Sequence, residues 1–303
     1  MDLKSKIILI SGPTASGKSS FAVKLANKIN GEIINADSMQ VYKEIRTLTA
    51  RPNIKEQKKI KHHLYGFISI CSKFSTGQWL RLASKTINKI QKKNKIPIIV
   101  GGTGLYFKAL IDGLVKIPKI SSKKRKQVTD LQKKIGQNNF YQKLIKIDPK
   151  VKDFVNKNDI QRSIRAYEVK NFTRKSIVEW HKDTKSYYNK EAFIKLYLNC
   201  PKELLLRRIE QRAKKMLPDG IKEVKKLKKI KVQKTNSSNK IIGVIEIKNL
   251  LKNKLNIDQT VELIAIKTRQ YAKRQATWAR GQMKDWKIIS ALDRKISLKK
   301  LLN

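Results

Sequence analysis

The chain has 303 residues, 40% of them hydrophobic, and carries 70 Lys+Arg against 23 Asp+Glu, a formal net charge of +47. That length sustains one large or two smaller domains with a core of their own, and the longest apolar runs fall well short of the roughly 20 residues a membrane span needs. The charge predicts salt-sensitive attraction to polyanions, although abundant Lys, Asn and Ile together are also what an AT-rich genome produces.

Met1-Asp2-Leu3-Lys4 leads directly into a strand over residues 6–10. With no room for a signal peptide, a cytoplasmic location and no membrane partner are expected. The apolar Ile7-Ile8-Leu9-Ile10 runs into Gly12-Pro13-Thr14-Ala15-Ser16-Gly17-Lys18-Ser19, followed by a helix to about residue 28. This is G-x-x-x-x-G-K-[ST] in its required strand–turn–helix setting. The glycines let the backbone wrap so that successive N–H groups face a phosphate, and the helix adds the positive end of its dipole. Lys18 supplies a point charge, and Ser19 a hydroxyl for Mg²⁺. The loop alone leaves open whether the phosphate belongs to a nucleotide.

A second strand over residues 32–36 ends at Asp37-Ser38, and residues 74–93 read as a helix with apolar positions at helical spacing. Ile96-Pro97-Ile98-Ile99-Val100 is a continuous apolar strand ending in Gly101-Gly102-Thr103-Gly104. Strands alternating with helices predict a parallel sheet covered on both faces, with ligands at the carboxyl ends of the strands. The phosphate loop, Asp37-Ser38 and Gly101–Gly104 therefore converge on one crevice. At a strand end Asp37 is placed to ligate Mg²⁺ or accept a proton; a helix cap or turn role competes. Thr103, where glycines admit close backbone approach, is placed to touch a phosphate or bridging oxygen, or is simply part of a strand-to-helix turn.

From residue 116 to about 184 strand-like runs vanish and lysine-rich helical patterns take over, as over residues 122–134 and 160–171. A helical insertion is expected there, with Gln161 and Arg165 on one helix face next to Arg162. A strand over residues 193–198 returns to the core, followed by helices over 204–215 and 260–274. Arg208 and Arg212, four apart, can face the same way and grip phosphate in a bidentate manner. Residues 222–240 are lysine-rich, and the later part, Thr235-Asn236-Ser237-Ser238-Asn239, reads as a mobile loop. The run from Thr268 to Arg280 interleaves bases, amides and aromatics, which suits RNA; an amphipathic helix packing Tyr271 and Trp278 on the core explains the aromatics equally well. His62-His63 has no partner at metal-ligand spacing, nor have Cys71 and Cys200, which are expected to be plain buried thiols in a reducing compartment.

Taken together, these motifs resemble the tRNA dimethylallyltransferases, the bacterial tRNA isopentenyltransferase family. The resemblance runs in order over Gly12–Ser19, Asp37-Ser38-x-Gln40-Val41-Tyr42, Thr49-Ala50-Arg51-Pro52, His62-His63-Leu64, Val100-Gly101-Gly102-Thr103-Gly104-Leu105-Tyr106, Asn158-Asp159-x-Gln161-Arg162-x-x-Arg165-Ala166-x-Glu168, and Thr268-Arg269-Gln270-x-Ala272-Lys273-Arg274-Gln275-x-Thr277-Trp278-x-Arg280. It implies an α/β fold: a P-loop NTPase-like parallel sheet with helices on both faces, plus a helical insertion domain. The expected boundaries are 1–115 and 191–303 for the core and 116–190 for the insertion. It also implies transfer of the dimethylallyl group from dimethylallyl diphosphate to the exocyclic N6 of the adenine 3′ of the tRNA anticodon, by a monomer.

In that reading Gly12 to Ser19 cradle the leaving diphosphate, with Mg²⁺ as cofactor on Ser19. Asp37 is the general base, Thr103 assists departure of the diphosphate, and Arg212 stabilises its charge. The tRNA anticodon stem-loop is met by Asp37, Ser38, Met39, Gln40, Thr103, Arg125, Gln161, Arg162, Ser163, Ile164, Arg165, Gly243, Arg269, Lys273, Arg274 and Arg280. The sequence departs from the family pattern at four places. Leu48 and Gly66 replace a glycine and an aspartate, Arg174-Lys175 replaces a Gly-Lys pair, and Gly243-Val244-Ile245-Glu246 has lost an aromatic and a basic residue. Altered tRNA contacts are expected at that last segment. The rival enzymes are a P-loop small-molecule or nucleoside kinase and an adenylate isopentenyltransferase acting on free nucleotides.

Overall fold

A computed structural model describes residues 5–53, 60–227, 230–233 and 236–292. Six parallel strands form one sheet: β1 (Ile7–Ser11), β2 (Gly31–Asn35), β3 (His62–His63), β4 (Ile96–Gly101), β5 (Phe193–Asn199) and β6 (Lys287–Ser290), in the order β3-β2-β4-β1-β5-β6. Every residue of β1, β2 and β4 is buried. This is the pattern of strands covered on both faces, and it explains why β1 and β4 read as continuous apolar runs, while β2 buries Glu32 and Asn35 beside its isoleucines.

Ile8 and Ile10 of β1 pack with Phe21, Ala22 and Leu25 of α1 (Lys18–Ile29) in one apolar cluster. Ile7 and Leu9 point the other way and are equally buried. Helix α2 (Thr76–Gln91) starts at a capping box in which Ser75 and Gln78 exchange hydrogen bonds, and it packs on β2 and β4. Its Trp79 is fully buried, stacks on Tyr106 at 4.3 Å and donates its indole N–H to the Asn35 carbonyl at 2.8 Å. Tyr106 belongs to α3 (Gly104–Asp112), which follows β4.

Register decides where the strand ends meet. Ser11 pairs with Gly101, and Asn35 with Val100, so β1, β2 and β4 stop at one level. The phosphate loop, Asp37 and the glycine-rich turn are thereby brought to the same edge.

The chain divides into two compact units, one of residues 112–187 and one of the flanking segments; the expected insertion was 116–190. The smaller unit holds α4 (Ser122–Ile147), α5 (Ile160–Thr173) and α6 (Ile177–Lys182) around Phe140, Leu144, Ile164 and Val169. Helix α4 extends far beyond the expected residue 134, crossing a break at Gly136, whose φ of 75° and ψ of 168° only glycine adopts readily. Helix α5 ends on Arg174, held in the left-handed region at φ 61°. That conformation accounts for the glycine usual in the resembled family, and a side chain there costs about 1 kcal/mol.

The larger unit closes with α7 (Lys202–Leu227), α8 (Val244–Leu250) and α9 (Ile257–Gln282). Helix α7 runs through Pro218 and so outlasts the expected end at residue 215. Two expectations fail here. Asn236 and Ser238 are buried and donate to the carbonyls of Cys71 and Ile70 at 2.8 Å each, so that part of the expected mobile loop is tied down by side-chain bonds that composition does not reveal; Lys228, Lys229, Lys234 and Thr235 lie outside the described residues. Cys200 is buried but Cys71 is exposed, because it sits on the turn that follows Ile70 rather than within an apolar run.

Candidate active site

The phosphate loop owes its shape to alternating backbone hand. Ala15 at φ 64° and Gly17 at φ 92° lie in the left-handed region, Gly17 as the residue that starts α1. Such an alternation turns successive N–H groups to one side and makes an anion-binding concavity. Lys18 lies across the loop with its ammonium donating to the Pro13 carbonyl at 3.2 Å. Burial pushes its pKa down from 10.5 to about 8; the Asp37 carboxylate opposes that shift and Arg212 adds to it.

Two arginines of α7 reach the loop from the side. Arg212 donates to the Thr14 hydroxyl at 2.9 Å, and Arg208 to the Ser16 carbonyl at 3.1 Å. Their four-residue spacing puts both on one helix face, as the sequence predicts. Burial lowers the Arg212 pKa and the Asp37 carboxylate raises it, which places Arg212 in the field of that carboxylate.

Asp37 is fixed by its neighbours. Its N–H donates to Asn35 Oδ1 at 2.8 Å, Asn35 Nδ2 donates back to its carbonyl at 3.0 Å, and its own Oδ1 accepts the Met39 N–H at 2.9 Å. The side chain does serve a turn, as one alternative held, while also lining both cavities described below. Thr103 faces it across the strand ends: its hydroxyl oxygen accepts the Ser38 N–H at 2.9 Å and donates to Ser38 Oγ at 3.3 Å. The predicted convergence of three strand ends is therefore direct contact between two of them and a shared cavity with the third.

Two adjoining cavities meet at Thr14, Asp37, Thr49, Ala50 and Arg212. The polar one, of about 290 Å³, is lined by Gly17, Lys18, Ser19 and Arg208. The other, of about 300 Å³, is walled mainly by apolar groups, among them Met39, Leu48, Ile209, Met216, Ile242 and Ile264. A cationic cradle thus opens onto an apolar chamber, with one carboxylate at the junction.

Helix α9 closes this edge. Thr268, Tyr271, Gln275 and Trp278 follow a 3-4-3 spacing and share one face. The Tyr271 phenol adjoins Thr103 and Gln275, and burial together with the Asp37 carboxylate pushes its pKa above the ordinary range, so it stays neutral. A methyl group at Gly104 would stand 2.2 Å from the Trp278 ring, and one at Gly101 2.0 Å from the Ala36 carbonyl oxygen. Close approach of β2 and α9 is what this glycine-rich turn serves. The two aromatics pack on the turn of the site, and the bases Lys273, Arg274 and Arg280 are left exposed. Arg269, only part-buried, pairs with Glu210 at 3.5 Å.

The remaining sequence candidates divide. Gln161 and Arg162 are exposed on α5, and Arg165 and Arg125 both reach Glu168, at 3.2 and 4.0 Å. Ser163 and Ile164 are buried: Ser163 accepts from Gln137 at 3.1 Å and Ile164 belongs to the core of the helical unit. Their side chains therefore face inward and are withdrawn as RNA contacts, the turn of α5 having placed them opposite the exposed pair. Gly243 starts α8 at φ 98° and donates its N–H to Glu246 at 2.8 Å. Leu48 fills the space beside it, where a methyl group on Gly243 would come within 2.9 Å. Gly66 leaves room for Arg51, whose guanidinium lies where a side chain would begin and donates to the Tyr42 carbonyl at 3.1 Å.

Sequence reasoning missed Asn35, Gln275, the Tyr271–Thr103 contact and the apolar chamber. The 3-4-3 spacing on α9 was the available signal for two of these; the chamber is assembled from distant segments and left none. His63 pairs with Glu32 at 2.7 Å, and no cluster of three His, Cys, Asp or Glu occurs among the described residues.

The model of the family described as IPP transferase matches residues 40–282, and that described as isopentenyl transferase matches residues 5–72. A protein of Pelagibacter ubique (strain HTCC1062) named tRNA dimethylallyltransferase is 59% identical over 287 residues, covering 94% of this chain and 92% of that one. One of the same name from Rickettsia canadensis (strain McKiel) is 42% identical, covering 93% and 87%. Among solved structures, the full-length tRNA isopentenylpyrophosphate transferase of Bacillus halodurans superposes with a TM-score of 0.69 at 30% identity, over 98% of this chain and 94% of that one. A eukaryotic dimethylallyltransferase acting on tRNA gives 0.81 at 30% identity, over 95% and 74%.

Proposed function

From the chain's membership of the IPP transferase family, we propose how its site performs the transfer of a dimethylallyl group to tRNA. The donor is dimethylallyl diphosphate, and the acceptor is the exocyclic N6 of the adenine 3′ of the anticodon. The observation that carries this reading is the joined pair of cavities. A diphosphate suits the cationic cradle, a five-carbon tail suits the apolar chamber, and the Asp37 carboxylate stands where the two meet.

In the transfer, the bond between the allylic carbon and the diphosphate oxygen breaks and its electron pair leaves with the diphosphate. The adenine nitrogen forms the new bond to that carbon, and its proton goes to Asp37. Asp37 Oδ1 is held by the Met39 N–H, which fixes the carboxylate and leaves the second oxygen to take the proton. The loop N–H groups, Lys18 and Arg212 stabilise the growing negative charge. The Thr103 hydroxyl oxygen is held by the Ser38 N–H, and its one proton, turned from Ser38 Oγ, serves the departing oxygen.

Ser19 is exposed on the first turn of α1 and lines the polar cavity together with Asp37. The Ser19 hydroxyl is a hard oxygen donor beside the cationic loop, and it suits Mg²⁺, which keeps several waters and takes phosphate oxygens, while Asp37 stays free to act as base. When bound, the ion neutralises charge on the diphosphate.

The target adenine has to leave its stack to reach this chamber, at a cost of a few kcal/mol. On the helical unit, Arg125, Gln161, Arg162 and Arg165 are the residues this reading gives to the anticodon stem-loop. No helix among the described residues is long and apolar enough to cross a membrane. The working form is read as a cytoplasmic monomer.

The test is labelled dimethylallyl diphosphate, Mg²⁺ and undermodified tRNA with the wild type and Asp37→Ala. The wild type labels tRNA. The variant loses about 10²- to 10⁴-fold in turnover, with tRNA affinity within about twofold. Unlabelled tRNA with active wild-type preparations, or a variant that binds poorly yet turns over normally at saturation, contradicts the reading.

A further inference from the structure

One side chain joins the two loops that this chemistry needs, and the motif reading gave it no role. Gln275, on α9, accepts the Thr14 N–H on Oε1 at 2.8 Å and donates from Nε2 to the Gly102 carbonyl at 3.0 Å. It also lies beside the Tyr271 phenol, which in turn adjoins Thr103. One amide therefore spans from the phosphate loop after β1 to the turn after β4, and its neighbour on the same helix face adjoins the Thr103 hydroxyl. The fit is close: a methyl group on Gly102 would stand 2.0 Å from Gln275 Nε2. Both ends of the amide are in use, so neither Glu, which cannot donate, nor Leu, which can do neither, reproduces it.

We infer that Gln275 is a positioning residue for the leaving group: its amide sets the phosphate loop in register with Thr103, so that the diphosphate cradle and the hydroxyl meet the same bridging oxygen. This rests on the reading of the site as a prenyl-diphosphate cradle. The side chain touches loop backbone and need not touch substrate. Removing it lets the two loops drift independently, and a displacement of about 1 Å at a reacting centre costs on the order of 10²-fold in rate. The effect falls on the donor half of the reaction. The exposed bases of α9 and the arginines of the helical unit are untouched, so tRNA binding is preserved.

Three measurements on the full-length protein test it: kcat and KM for dimethylallyl diphosphate with tRNA saturating, tRNA affinity, and calorimetric affinity for inorganic diphosphate with Mg²⁺. The variants are Gln275→Met, which keeps length and loses both bonds, and Gly102→Ala, which keeps Gln275 and pushes its amide away. For both, kcat/KM for the donor falls about 10- to 100-fold, inorganic diphosphate binds more weakly, and tRNA affinity stays within about twofold. Gln275→Met with wild-type donor kinetics and wild-type diphosphate affinity overturns the inference. So does a loss of tRNA affinity as large as the loss of rate, which marks a general structural role. Diphosphate binding reads the cradle without prenyl transfer. If the wild type transfers nothing while Gln275→Met still weakens diphosphate, the proposed function fails and with it the leaving-group role, and only the part of Gln275 in shaping the anion cradle stands.

Discussion

At the scale of single residues, the site sets charge against burial. Lys18 is pulled toward the cradle interior, and burial brings its pKa to about 8 from 10.5. The sign of the consequence follows from which state holds the proton. Above pH 8 the empty cradle loses the Lys18 proton, whereas a bound diphosphate keeps it, so binding takes up a proton and affinity falls by up to about tenfold per pH unit. Folding runs the other way. Between pH 8 and 10.5 the unfolded chain holds a proton that the folded chain has lost, so this group makes the fold more stable as pH rises through that window. Calorimetry of inorganic diphosphate between pH 7 and about 9.5 reads the first effect. The wild type loses affinity above pH 8 more steeply than Lys18→Met, which retains only the titration of the ligand itself. Parallel pH profiles for the two proteins contradict the assignment.

At the scale of elements, the strong periodic signals are legible and the short edges are not. Strands β1 and β4 are readable because two-sided burial demands apolar runs, and β2 and β5 because apolar and β-branched residues recur in them between polar ones. Strand β3 is only His62 and His63, half-buried at the sheet edge, and β6 shows an exposed Ile288 within four residues; neither length supports a pattern. Helix ends mislead where proline or glycine sits inside a helix, as with Pro218 in α7 and Gly136 in α4. In the site, the phosphate loop, Asp37, Thr103 and Arg212 are legible because local spacing and strand ends mark them. Gln275 and the apolar chamber depend on which distant segments meet, and composition carries no trace of that. The Arg174 position offers an element-scale check. Its φ of 61° ends α5 in a conformation that favours glycine. Arg174→Gly therefore stabilises the chain by about 1 kcal/mol, seen as a higher denaturant midpoint at unchanged slope. A lower midpoint contradicts a strained cap.

At the scale of the whole molecule, the net charge of +47 is a background on which a specific site is built. The core unit carries the cradle, the chamber, Asp37 and the closing face of α9, while the helical unit offers arginines grouped on Glu168. A phosphate loop by itself is most often a nucleotide site. Here an apolar chamber opens from it, and the proposed function makes the diphosphate the leaving group and the carbon chain the cargo. The direct measurement is a parallel assay of the purified protein with labelled dimethylallyl diphosphate and Mg²⁺, given undermodified tRNA, AMP or ATP. One diphosphate is released per dimethylallyl group, which is recovered on N6 of the adenine beside the anticodon, with AMP unlabelled and ATP intact. Label on AMP alone, or ATP turnover without labelled tRNA, would contradict the proposed function.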